Sequence, residues 1–66
     1  MRFEKWLKLQ VDRDDRVGDI ARDAQADSRQ KPSQNTLEAW ETFLSSAQAC
    51  WEAMESLREA WEEYSE

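Results

Sequence analysis

Residues 50–64 read CWEAMESLREAWEEY, and their spacing decides the fold. Cys50, Ala53, Met54, Leu57, Ala60, Trp61 and Tyr64 return every three or four residues, the interval at which one side of an α-helix repeats. Glu52, Glu55, Glu59, Glu62 and Glu63 fill the positions between them, so one stripe is apolar and the rest is charged. A strand would alternate with a period of two, and alternation nowhere in the chain lasts four residues. The spacing predicts a helix over about 47–64, the longest in the chain.

Working back from this helix, Leu37, Trp40 and Leu44, with Phe43 alongside, mark the face of another that starts near 36. Asn35 followed by Glu38 is an asparagine version of the capping box and is read as its start. Ser45 and Ser46 interrupt the pattern, and Ser45 with Gln48 offers a second box ahead of the last helix. Residues 28–35, SRQKPSQN, form the main loop: Pro32 lacks an amide hydrogen and pushes Lys31 away from helical geometry. Val17, Ile20, Ala21 and Ala24 predict a helix near 16–27 with Asp14 or Asp15 as its N-cap. Phe3, Trp6 and Leu7 predict a first short helix over roughly 2–10. The reading is a single all-α domain over 1–66: a compact bundle of two short and two longer helices, with Trp6, Ile20, Trp40, Leu57 and Trp61 in one core.

Composition narrows the chemistry. There is no His and one Cys, which excludes an internal disulfide and a thiolate–imidazole metal cage. No run of about 18 apolar residues is present to span a membrane. The opening MRFEKWLKLQ is broken by charge and is not expected to be a signal peptide, so a cytoplasmic, reducing setting is expected. Residues 1–31 hold 8 Lys+Arg and 7 Asp+Glu, whereas 32–66 hold only Arg58 against 8 Glu. The acidic half reads either as a solvated face or as a surface for a basic partner.

FxxWL at Phe3 to Leu7, DRDDxxGDIARD at Asp12 to Asp23, AD at Ala26–Asp27, AC at Ala49–Cys50 and EAWEEY at Glu59 to Tyr64 together resemble the YozE family of short bacterial proteins. The resemblance covers roughly residues 3–64 without gaps. It implies a four-helix fold similar to sterile alpha motif (SAM) domains, and no established activity. This chain departs from the family pattern in four places. Arg16 stands where a Pro is usual, Gln30, Lys31 and a shifted Pro32 replace a Phe-Pro pair, Gln48 replaces a Gly, and Trp51 replaces an acidic residue.

Trp51 lies one position past the apolar stripe, about 100° around the helix, with Glu55 and Arg58 at i+4 and i+7. It is either half-buried under the 28–35 loop or the first helix, or a partner anchor, because Trp is enriched at interface hot spots. Arg13 and Arg16 are the best members of a basic patch able to meet phosphates, against seven interleaved acids and a net charge of −6. The acids of Asp12–Asp15 (DRDD) read as caps rather than a cation site, and Asp19 and Asp23 as partners of Arg16 or Arg22. Gly18 inside the second helix reads as the mark of a close helix–helix approach. Cys50, on the stripe and without an imidazole partner, reads as a buried inert thiol. The expectation is a monomeric, non-catalytic protein-interaction module without cofactor or metal. Two alternatives stand beside it: a nucleic-acid-associated protein using the first-half cations, and an acidic inhibitor or nucleic-acid mimic.

Overall fold

Two side-chain caps start the middle helices. The computed structural model describes residues 1–47 and 49–66. Its helices are α1 (Phe3–Lys8), α2 (Arg16–Ala26), α3 (Leu37–Ser46) and α4 (Trp51–Ser65), with no strand among the described residues. Asp15 caps α2, its Oδ1 accepting from the Gly18 amide at 3.0 Å. Thr36 caps α3, its Oγ1 accepting from the Ala39 amide at 3.2 Å. The predicted Asn35 cap is therefore displaced by one residue. Asn35 is used between segments instead: its Oδ1 accepts from the Phe3 amide at 2.8 Å and its Nδ2 donates to the Tyr64 hydroxyl at 2.9 Å. Its amide carries both donor and acceptor, so one side chain joins the start of α1 to the end of α4.

The α3–α4 boundary also differs from the sequence reading. Ser45 and Ser46 are the last two residues of α3 rather than an interruption beyond it. The Ser46 hydroxyl donates to the Phe43 carbonyl and accepts from Arg29 Nη1, both at 2.8 Å, so it works inside the last turn. The Ala47 and Ala49 amides both donate to the Leu44 carbonyl. Helix α4 then starts at Trp51, four residues later than predicted, with Cys50 as an extended N-cap that makes no side-chain capping bond. The Ser45–Gln48 box lies outside the described residues through Gln48.

Helix α4 packs against each of the other three helices. Ile20, Trp40 and Leu57 are buried as expected, together with Leu7, Val17, Ala21, Ala24, Phe43, Leu44 and Ala60. Trp6 and Trp61 are instead half-buried at the rim of this cluster. The residue at its centre is Phe3, which is 0% exposed. Its ring centroid lies 4.8 Å from Trp61, 5.1 Å from Trp40, 5.3 Å from Tyr64 and 5.8 Å from Trp6. The contacts with Trp40 and Tyr64 are edge-on, the geometry that aromatic quadrupoles favour.

Gly18 marks a close approach, but not of two helices. A Cβ built there would lie 1.9 Å from the Arg13 carbonyl oxygen, so the α1–α2 connection runs directly over α2. Arg22 holds that connection down, its Nη1 donating to the Val11 and Arg13 carbonyls at 2.7 and 2.9 Å.

Two substitutions test this packing by urea denaturation. Phe3→Ala is expected to cost about 3–5 kcal/mol, as truncation of a buried aromatic does, and a loss under about 1 kcal/mol would remove Phe3 from the centre of the core. Gly18→Ala is expected to destabilise by about 1–3 kcal/mol, as overpacking does. Helix propensity alone predicts the opposite sign, a gain of up to about 1 kcal/mol, so a neutral or stabilised variant would refute the close approach.

Candidate interaction surface

Trp51 opens α4 and is 71% exposed, beside only Met1 and Leu9 as an exposed large hydrophobic residue among those described. Helical phase, at about 100° per residue, carries this side chain away from the stripe of Leu57, Ala60 and Trp61. The start of α4 at residue 51 corrects the reading of Cys50. Its thiol is exposed, because residue 50 precedes the helix in extended backbone and so never joins the apolar stripe.

Glu55 and Arg58 follow on the exposed side of α4. Arg58 Nε bonds Glu41 Oε2 at 2.9 Å on α3, and its Nη1 lies 3.5 Å from Glu55 Oε1. The cation of this trio is thus shared between two carboxylates. Glu52, Glu59, Glu62 and Glu66 are also exposed, and none of them is in an ion pair among the described residues. No basic residue occupies the last turn of α4. Negative side chains therefore stand at the helix end where the backbone dipole is already negative.

The first-half cations are placed differently. The Arg13 guanidinium donates from Nη2 to Asp15 Oδ2 at 2.7 Å and from Nη1 to Glu63 Oε1 at 2.8 Å, and a third contact reaches Gln10 Oε1 at 3.3 Å. These bonds raise the Arg13 pKa above its ordinary value, the Glu63 bond most of all. The Gly18 amide and then Arg13 hold the Asp15 carboxyl below its ordinary range, and Arg13 does the same for Glu63. Arg16 is exposed and lines an open groove with Asp19, Asp23 and Glu52. Arg22 pairs with Asp19 one turn before it. Arg29 bonds Asp27 at 2.9 Å and lies 4.2 Å over the Phe43 ring, while Lys31 donates to the Asp27 and Arg29 carbonyls. In the DRDD stretch, Asp15 is the cap and Asp12 and Asp14 face solvent.

The Arg13–Glu63 pair joins residues 50 apart and had no signature in the sequence. Arg58–Glu41 crosses between helices and was equally hidden. Both needed the relative placement of helices that only packing supplies. The outward row of glutamates on α4, by contrast, follows from helical spacing alone.

Among the described residues, no helix is long and apolar enough to cross a membrane, and no group of three or more Cys, Asp or Glu is placed to hold a metal ion. The model of the family described as "YozE SAM-like fold" matches residues 3–66. No curated protein and no solved structure matches the chain.

Acid titration checks the charge pairing. Arg29 depresses the Asp27 carboxyl from 3.8 to about 2, by its side-chain bonds and its backbone amide. A carboxyl depressed on folding stabilises the fold above its unfolded pKa and loses that contribution as pH falls through the folded value. Asp15, Asp27 and Glu63 should therefore weaken the fold progressively below about pH 4. Carbon-detected NMR is expected to place the Asp27 midpoint at about 2, moving up toward 3.8 in Arg29→Ala. A midpoint already near 3.8 in the wild type would disprove the pairing.

Proposed function

The chain belongs to the YozE SAM-like fold family, and on that premise we propose that it is a non-catalytic protein-interaction module of the cytoplasm. It works as a monomer, and its contact surface is the outer side of α4 around Trp51, Glu55 and Arg58. The observation that carries this reading is the 71% exposure of Trp51 on a helix whose other large apolar residues face inward. Trp is among the residue types enriched at interface hot spots.

The sequence contains no imidazole to serve as a base near neutral pH. The exposed Cys50 thiol has no such group to activate it. The perturbed carboxyls Asp15, Asp27 and Glu63 are shifted downward, away from the range useful for proton transfer at neutral pH. A recess between Leu7, Ala21, Ala24 and Trp40, about 20 Å³, has room for about one water molecule, and a larger open groove of about 330 Å³ lined by Arg16, Asp19, Asp23 and Cys50 contains no imidazole.

The nucleic-acid reading is weaker for a specific reason. Arg13, one of its two best residues, already spends its donors on Asp15 and Glu63. Phosphate binding would have to displace both carboxylates. The acidic-mimic reading keeps one supporting observation, the unpaired glutamates of α4.

Trp51→Glu tests the proposal. Stability should stay within about 0.5 kcal/mol of wild type in chemical denaturation, as for an ordinary surface change. Affinity capture from the native host should lose the partners that wild type retains. Unfolding of the variant, or unchanged capture, would overturn the assignment of Trp51. In parallel, fluorescence anisotropy should find duplex DNA affinity weaker than about 1 μM at physiological salt; tighter binding would favour the nucleic-acid reading.

A further inference from the structure

We infer that the outer side of α4 is a docking surface for a lysine- and arginine-rich segment of a protein partner. The inference rests on the interaction reading above and gives its partner a chemistry. Trp51, Glu55, Glu59, Glu62 and Glu66 succeed one another by four, four, three and four residues. At about 100° per residue they stay within about 80° of one another around the helix, on the side away from Leu57, Ala60 and Trp61. All five are exposed. The result is one straight file: an aromatic face at the start of the helix, then carboxylates at intervals of about 4.5–6 Å.

Charge complementarity names the occupant. Residues 51–66 hold six Glu against Arg58 alone, and Arg58 is already bonded to Glu41 and Glu55. Elsewhere several acids are paired: Asp15 and Glu63 share Arg13, Asp19 has Arg22, Asp27 has Arg29 and Glu4 has Lys8. Asp12, Asp14, Asp23 and Glu38 are unpaired among the described residues, but they stand apart from the exposed Trp51, on other segments of the chain. Glu59, Glu62 and Glu66 have no such partner among the described residues, and they crowd the negative end of the helix dipole. A cationic segment relieves both the mutual repulsion and the unfavourable dipole term. Its charges fall in register if they recur every second residue of an extended chain, about 6.6–6.8 Å, or every third or fourth residue of a helix. Trp51 supplies apolar area and a ring face that attracts a Lys or Arg head within about 6 Å. A phosphate-bearing or acidic partner would meet repulsion along the whole file.

The probe is a fluorescein-labelled 16-residue peptide of alternating Lys and Ala, titrated with full-length protein in fluorescence anisotropy. Three variants accompany the wild type. Glu55→Gln with Glu59→Gln and Glu62→Gln removes the file. Asp12→Asn with Asp14→Asn and Glu38→Gln removes the same charge from exposed positions elsewhere. Trp51→Ser removes the aromatic anchor. The expected result is binding that tightens as salt is lowered, weakened by about 10-fold or more in the first variant and changed by less than about 2-fold in the second. Trp51→Ser should weaken it by about 5-fold, the scale of a cation–π contact together with its apolar area. Saturating peptide should raise the melting temperature of the wild type. Equal weakening by the two triple variants would show attraction to net charge alone and overturn the proposal. So would the absence of binding at low salt, or sedimentation showing a second copy on this face. If Trp51→Glu abolishes partner capture while the file variant binds the peptide as wild type does, the interaction reading stands and the cationic partner falls.

Discussion

The rest of this structure depends on one ring. Phe3 is fully enclosed and meets the aromatic side chains of α1, α3 and α4 at centroid distances of 4.8–5.8 Å. A chain of 66 residues has little interior, and aromatics fill it with the most apolar area per position. Helix α1 is only six residues long, too short to hold its shape alone. Its stability comes from burying Phe3 and Leu7 against longer neighbours. The polar contacts around it serve the same end. Asn35 takes the Phe3 amide, which no helical carbonyl could satisfy, and Tyr64 donates to the Met1 carbonyl. The rings and the polar clamp thus fasten the first residues of the chain to its last helix.

Charge is arranged by a second rule, and it separates the two halves of the molecule. Three arginines of the first half are turned to structural work. Arg13 ties the α1–α2 connection to α4, Arg22 holds the same connection onto α2, and Arg29 joins the 28–35 loop to α3 through the Phe43 carbonyl and Ser46. Each arginine has several donors in one plane, so it can satisfy a carboxylate and loop carbonyls together. The glutamates of α4 receive little of this neutralisation. Their repulsion is affordable because the apolar stripe on the opposite side of the helix is buried in the core, and because solvent screens exposed charge.

Several elements were legible in the residues because they rest on local physics. Helix existence and type follow from apolar spacing, and among the described residues four helices stand where that spacing recurs. The Asp15 cap follows from the preference of a short carboxylate for free first-turn amides. The exposed glutamate file follows from the same 3.6-residue period as the core stripe. The errors lie at boundaries, where two local solutions compete. Asn35 and Thr36 are both good caps, and long-range bonds to Phe3 and Tyr64 drew Asn35 away from that role. Ser45 and Ser46 favour helix ends, but the Ser46 hydroxyl found a carbonyl and an arginine within the helix. The displaced start of α4 then put Cys50 in solvent.

The sequence by itself determined the fold class, the four amphipathic faces and the family, because periodicity and motif spacing are properties of the chain alone. It also determined the charge asymmetry, which needs only counting. The tertiary structure decided what depends on distance between segments. It put Phe3 rather than a tryptophan at the centre, set the Arg13 carbonyl against Gly18, paired Arg13 with Glu63, and left Trp51 outside. Each of these outcomes is set by how the helices cross and where a connection passes, and residues far apart in the chain carry no local signal of that meeting.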